Sequence, residues 1–499
     1  MTIEPAAEGL AGALGPGLDP GDEIAPKIAG ARTPFGAWKL SRAAWAWALY
    51  EGGRDPYVIL ITIYIFGPYF ANVAVGDPIR GQALLADIGT IYGLIAAITG
   101  PLLGAAVDRL GRRKPLLLGT NILLLPLIVA LWWVKPAGQG GMPIITAAVI
   151  FGAIGVLFAY NEVLHNSLLA RAATPQTAPQ TSGLAYSLAN AISVLSLTFV
   201  LWAFALPGKV HWGFVPSHPL FGLDPVSHQP DRIVAPIAAV LMAVGAVPLF
   251  LFTPDAPATG AKASEAFRHA LSSLAATLRS LKGHRDAAIY LGARMLYTDA
   301  KTALLLFGGV YAAGVMHWGV LEMLAYGILL SVFAVFGGFA GAWLDQRVGP
   351  KLAIQIEVMG SFACLAATMG MRRDQILYVL PYAPAAHAPL WNGPMFQTLP
   401  EVLYLTIGFG TAIFVTAAYG SSRTFLTRLA PPDQSAAFFG LYALSGAVTM
   451  WLGSLLVRLF TEGFHSQQAG FLPIAGLLLL GFVGMGFVRD PSRMRRPAD

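Results

Sequence analysis

The sequence predicts an all-α membrane protein in which twelve transmembrane helices form two pseudo-symmetric six-helix bundles. Three observations predict it. The composition is 56% hydrophobic and only 12% charged over 499 residues, whereas about a quarter of the residues of a soluble chain are charged. Twelve apolar runs approach or exceed the length of about 20 residues that crosses a bilayer core. One loop is also written twice, as Gly104-Ala-Ala-Val-Asp108-Arg-Leu-Gly111-Arg-Arg-Lys114 and as Gly341-Ala-Trp-Leu-Asp345-Gln-Arg347-Val-Gly349-Pro-Lys351. Each copy closes an apolar run on a carboxylate and opens the next after a glycine and a basic residue, as a short loop between spanning helices requires. Duplicated membrane halves point to transport.

In chain order, residues 1–42 are rich in Gly, Ala and Pro and lack a short apolar core with a cleavage site, so they read as a cytoplasmic segment and not as a removable signal. Spans at 43–71, 82–106, 114–134, 142–170, 179–206 and 232–252 build an N-terminal bundle over 43–254. A linker, 255–285, follows. Within it Phe267, Leu271, Leu274, Leu278 and Leu281 recur at helical spacing opposite Arg268, Arg279 and Lys282, the pattern of a helix lying on a membrane surface. Spans at 286–314, 319–344, 351–371, 400–421, 434–459 and 468–488 build a C-terminal bundle over 286–488, and 489–499 form a cytoplasmic tail. An even number of spans places both termini on one side, and most of the 32 Lys and Arg residues fall there, which makes that side cytoplasmic and the membrane a cell inner (plasma) membrane. The net charge of +6 is then accounted for by loops facing anionic lipid, with no nucleic-acid partner. Trp132, Trp133 and Trp318 fit an interfacial aromatic belt.

The halves are parallel copies. Leu49-Tyr50-Glu51-Gly52-Gly53-Arg54 aligns with Leu296-Tyr297-Thr298-Asp299-Ala300-Lys301, and Leu169-Ala170-Arg171 with Leu426-Thr427-Arg428. Gly183-Leu184 likewise recurs as Gly440-Leu441. The repeated loop resembles the signature loop of the major facilitator superfamily. More narrowly, Trp47-Ala48-Leu49-Tyr50, Ala293-Arg294-Met295-Leu296-Tyr297-Thr298-Asp299, Phe307-Gly308-Gly309-Val310-Tyr311, Ser421-Ser422-Arg423 and Phe438-Phe439-Gly440-Leu441-Tyr442 resemble the bacterial group related to the fungal autophagy-related vacuolar amino-acid effluxer. The departure from that group lies at Glu51-Gly52-Gly53-Arg54-Asp55-Pro56, where an acid followed by small and polar residues is usual. The resemblance implies alternating access, a central cavity lined by the first, fourth, seventh and tenth spans, and gating roles for Asp108, Arg109, Arg112, Asp345 and Arg347. The competing reading of those charges is that they only fix topology, although topology needs the cations and not the aspartates.

Charges at bilayer depth cost roughly 2.5 to 3.5 kcal/mol each even on the lenient insertion scale, so they face a cavity or one another. Span 1 places Glu51, Arg54 and Asp55 on one helical face beside Tyr50, because spacings of three and four are neighbours. Span 7 carries Arg294, Tyr297, Asp299 and Lys301; span 4 carries Asn161, Glu162 and His165; span 10 offers Thr416 and Tyr419. In one reading Arg54 and Lys301 engage an anionic group of a substrate, Glu51, Asp55, Glu162 or Asp299 binds its amine or carries a coupling proton, and Glu162 with His165 is a pair that could exchange that proton. In the other, Glu51 pairs with Arg54, Asp299 with Lys301, and His165 with Asn161. Asp87, Glu322 and Glu357 read as packing or hydrogen-bonding groups. The expectation is a secondary transporter of a small polar or zwitterionic metabolite, amino acids or short peptides first, with lipids as its surroundings, protons as the candidate coupling ion, and no cofactor or metal. Proton-antiport efflux of amphiphilic compounds is the alternative within transport. A membrane-embedded enzyme or sensor is the alternative outside it, although neither a phosphate-cradling loop nor a nucleophile elbow is present in the sequence.

Overall fold

The structure is a computed structural model that describes residues 40–174, 177–257, 279, 281–429, 438, 441–442, 444–446 and 448–490. Most of the amphipathic segment expected in the linker, the first 39 residues and the last nine lie outside the described residues. Twelve long helices are found among those described. They are α1 (Arg42–Ala74), α2 (Pro78–Leu110), α3 (Lys114–Trp133), α4 (Ile144–Ala172), α5 (Ala178–Val200), α6 (Val234–Phe252), α7 (Arg285–Met316), α8 (Val320–Val348), α9 (Pro350–Met369), α10 (Leu399–Leu429), α11 (Met450–Gly463) and α12 (Leu472–Gly486). Eleven are long and apolar enough to cross a membrane. The remaining one, α7, is long enough at 32 residues, about 48 Å. Its apolarity is lowered by Arg294, Asp299 and Lys301, all buried inside the protein.

Local chemistry explains where these helices begin and bend. Asp77 caps α2 by accepting from the amides of Ile79 and Arg80, and Pro78 occupies the first turn, where a missing N–H costs nothing. In α1, Pro56 cannot continue the ordinary hydrogen-bond ladder, and the chain widens into π-helical turns over Tyr57–Tyr64 and again over Phe70–Ala74. The duplicated loops end α2 and α8 in the same way: Gly111 (φ 82°) and Gly349 (φ 83°) take a positive φ open to glycine, and each donates its N–H to the carbonyl four residues back, Val107 and Asp345. Between α9 and α10 a two-residue antiparallel pairing, Gln375–Ile376 with Leu380–Pro381, adds a small β element that an all-α expectation omits.

In the first bundle α1 packs on α5 and α6, α2 on α4, and α3 on α4 and α6; in the second α7 packs on α12, α8 on α10, and α9 on α10 and α12. The bundles meet through α2 with α11, α5 with α8, and the far half of α1 with α7. The face bearing the start of α1 and the end of α12 is here the terminus face; the opposite one is the loop face. Trp318 departs from the interfacial expectation. It is buried among Tyr326, Phe396 and Tyr404 and donates its indole N–H to Glu401, because α8 and α10 converge over it.

Candidate functional site

In the first bundle the polar residues of α1, α3 and α4 form one connected set. Tyr50 shares its hydroxyl with the side-chain oxygens of Asn121 and Asn161 (both 2.9 Å), and Asn161 donates to Asn121 and Thr120. Arg54 lies on the adjoining face. Its Nη2 donates to both oxygens of Glu51 (3.0 and 2.9 Å), its Nη1 is 3.7 Å from Glu162, and its guanidinium covers the Phe158 ring. Nε and Nη1 of Arg54 have no hydrogen-bond partner among the described residues. Glu162 is 53% exposed beside this buried cation, so the cluster opens to free space on its α4 side. His165 does not turn to Asn161. It stacks on Trp47, its Nε2 lies 3.0 Å from the Trp47 carbonyl and its Nδ1 3.1 Å from Glu51. Asp55 accepts from Ser193 of α5 at 2.7 Å.

The second bundle treats its charges differently. Arg294 is committed to the segment before α11, donating to the Tyr442 carbonyl and Ser445 and lying 3.5 Å over the Tyr442 ring. Asp299 accepts from the Gly453 amide of α11 at 2.8 Å. It does not pair with Lys301, because residues two apart on a helix project to different sides. Lys301 is wholly buried, its Nζ 3.7 Å from the centre of the Tyr419 ring and 5.2 Å from that of Tyr297, with no hydrogen-bond partner among the described residues. Glu357 of α9 is a second buried carboxylate of this interior; one oxygen accepts from Ser421 and the other has no partner among the described residues. Tyr297 bonds Ser422, at the place that His165 occupies in the first bundle. Thr416 and Tyr419 are half-buried on α10.

Of the loop residues expected to gate, Arg112 and Arg347 are exposed, and Arg347 lies over Trp343. Asp345 faces Ser421, Thr424 and Arg428 of α10, within its own bundle. The side chains of Asp108 and Arg109 lie outside the described residues. The carboxylate that holds the first loop is Asp255, beyond α6, which accepts from the amides of Arg113 and Lys114 (2.9 and 3.2 Å) at the start of α3. Sequence reading did not single it out; an acid just after a span, next to a loop needing an N-cap, is the signal that was there.

Also unforeseen is the seam that closes the bundles at the loop face. Gln82 donates to Thr461 and to the Gln467 carbonyl, and Gln467 donates to Asn72 and to the Pro78 carbonyl. Asn72 donates to the Val310 carbonyl of α7, and Asp87, expected to pack or hydrogen-bond, is 2.6 Å from Arg458 of the other bundle. Toward the terminus face the described residues give one polar contact between bundles, Arg423 of α10 with the Tyr186 hydroxyl of α5 at 3.3 Å, both exposed.

A family model described as vacuole effluxer Atg22 like matches residues 74–498. Among curated proteins, an autophagy-related protein 22-2 from Emericella nidulans is 27% identical over 200 residues, 39% of this chain and 31% of that protein. Another, from Neosartorya fischeri, is 27% identical over 285 residues, 52% of this chain and 44% of that protein. The match thus spans less than half the length of these relatives. Among solved structures, the nucleoside transporter NupG superposes with a TM-score of 0.56 at 12% identity (89% of this chain, 98% of that one). The peptide transporter POT gives 0.58 at 16% (90% and 95%). A bacterial homolog of the human lysosomal transporter Spinster gives 0.57 at 12% (94% and 100%). At such identities the likeness establishes the fold.

Proposed function

We propose, for a chain that belongs to the Atg22-like vacuole effluxer family and is a multi-pass membrane transporter, that its cargo is a small polar or zwitterionic metabolite, amino acids or short peptides first. Movement is by alternating access with protons as coupling ion. The membrane is a cell inner membrane, with the terminus face cytoplasmic by the distribution of Lys and Arg. A seam closed at the loop face and a half-exposed Glu162 on the other side correspond to the inward-facing member of the cycle.

One observation carries the reading. Arg54 and Lys301 stand at equivalent places in the two bundles, both buried, and both keep donors with no hydrogen-bond partner among the described residues. Buried donors are nearly always paired, and an intramembrane cation is costly, so two such groups at matching positions are completed by an anionic group such as a substrate carboxylate. Glu162 and Asp55 are the acids left to meet an amine, with Thr416 and Tyr419 on the opposite wall. Glu51 is taken up by Arg54, Arg294 by Tyr442 and Ser445, and Asp299 by α11, so these three hold the frame.

The test is uptake of a radiolabelled mixture of L-amino acids into proteoliposomes, with Arg54→Ala and Lys301→Ala beside the wild type. The expected result is uptake by the wild type and loss in both variants with the fold retained; wild-type uptake in either variant removes that residue from the site. The aromatic walls formed by Phe158, Tyr186 and Tyr419 favour amphiphile efflux as a second reading, which dye extrusion with no amino-acid uptake would select.

A further inference from the structure

The geometry points to a single proton held between His165 and Glu51, so that this pair, and not Glu162 with His165, is the proton-binding element of the first bundle. The assignment deepens the transport reading above and rests on it for the proton's role. Its basis is a count of donors and acceptors around one buried ring. His165 has no exposed surface. Its Nε2 lies 3.0 Å from the Trp47 carbonyl oxygen, which can only accept, so Nε2 carries a hydrogen. A neutral imidazole then presents a lone pair at Nδ1. That nitrogen lies 3.1 Å from Oε2 of Glu51, at ion-pair distance but outside hydrogen-bond geometry, and this oxygen already accepts from Arg54 and in a carboxylate offers only further lone pairs.

Two acceptors this close repel, and a proton between them removes the conflict. On the ring it makes an imidazolium against a carboxylate; on the acid it makes a carboxyl that donates to Nδ1. Either way the contact holds one proton more than an ionised Glu51 beside a neutral His165.

The remaining groups around the ring do not supply that proton. On α1 they are Trp47, whose indole N–H donates to the His165 carbonyl, Tyr50, whose hydroxyl donates toward Asn121 and Asn161, and Arg54, which stays charged and bonds Glu51. On α4 Glu162 turns toward Arg54, and α3 offers Asn121 and Thr120, which do not titrate. Asp55 is held by Ser193 of α5. With the proton on the ring, Arg54 and His165 balance Glu51 and Glu162. When the proton leaves to water on the open side, the contact between α1 and α4 loses its bridge, which ties the protonation state to the packing of two helices beside the cavity. A substrate amine arriving at Glu162 competes for the same acidic charge, and that competition is the coupling.

The experiment uses the full chain in lipid nanodiscs with isotope-labelled histidine, reading the His165 ring nitrogens by NMR at neutral pH, with His165→Gln to assign the signal and Glu51→Gln as the perturbation. The expected wild-type spectrum shows Nδ1 either protonated or accepting a strong hydrogen bond, and Glu51→Gln converts it to a neutral ring with a different Nδ1 shift. A bare Nδ1 in the wild type, unchanged by Glu51→Gln, overturns the assignment. In proteoliposomes carrying the same radiolabelled amino acids, the ratio of pH-gradient-driven accumulation to equilibrium exchange is expected to fall at least tenfold in His165→Gln; an unchanged ratio overturns the coupling role. Absence of all amino-acid movement in the wild type counts against the cargo reading alone, because the ring spectrum reports the proton without any transport.

Discussion

The two bundles hold a cation at the same place and solve its burial in opposite ways. In the first, Arg54 finds its carboxylate on its own helix, three residues away, and that carboxylate is further tied to His165. In the second, the helix supplies no acid on the matching face: Thr298 stands where Glu51 would be, Asp299 is turned to Gly453, and Glu357 is on α9 and bonded to Ser421. Lys301 is left against the faces of two tyrosines. Duplication thus preserved the position of the charge and not its neutralisation.

The sharpest way to break this comparison is to remove each cation and measure stability. Arg54→Met strands Glu51 and is expected to cost roughly 3–5 kcal/mol, the usual penalty for halving a buried pair. Lys301→Met removes an unsatisfied buried donor and is expected to stabilise by about 1–3 kcal/mol while abolishing uptake. Thermal denaturation in detergent with a uniform lipid supplement reads both; equal destabilisation by the two would erase the contrast.

A second test moves to the seam that both bundles share. Gly309 lies so close to the Ile63 carbonyl that a Cβ there would overlap backbone, so Gly309→Ala is expected to wedge the loop face open. Cysteine labelling of loop-face positions should rise severalfold in that variant, and unchanged labelling would mean that the seam tolerates the methyl group. Gln82→Leu removes two hydrogen bonds across the seam and should weaken closure by about 1–2 kcal/mol, visible in the same assay as a smaller rise.

The smallest effect is a pH dependence outside the membrane. His228, at the loop-face entrance to α6, is raised in pKa by its hydrogen bond to Asp231. A raised histidine stabilises fully below its unfolded value of about 6.5 and loses that contribution as pH climbs through its folded value. His228→Gln should therefore lower the melting temperature slightly at pH 5.5 and not at pH 8.5; the half-exposed ring keeps the difference small. A larger loss at pH 8.5 would reverse the sign.

Much of this was legible in the sequence. Apolar length alone located the helices, and the doubled loop gave the pseudo-symmetry. Insertion cost singled out Glu51, Arg54, Glu162 and Lys301, and helical spacing gave the Glu51–Arg54 pair. What periodicity could not provide is the rotation of one helix against another. His165 and Glu162 lie three apart on α4, yet one turns to Glu51 and the other to Arg54, because α1 presents those groups on either side of the contact. Gln82, Gln467 and Asn72 were invisible for a related reason: each is a single neutral amide near a helix end, and only docking of the two bundles makes them a set.

The widened turns of α1 have their own consequence. A π-helical stretch holds more residues per turn than the segments flanking it, so the surplus can migrate along the axis by exchanging one hydrogen-bond register for the next. In α1 the widened turns over Tyr57–Tyr64 begin directly after the turn that bears Arg54 and lead into the half packed on α7, so the register changes between the buried cation and the contact with the other bundle.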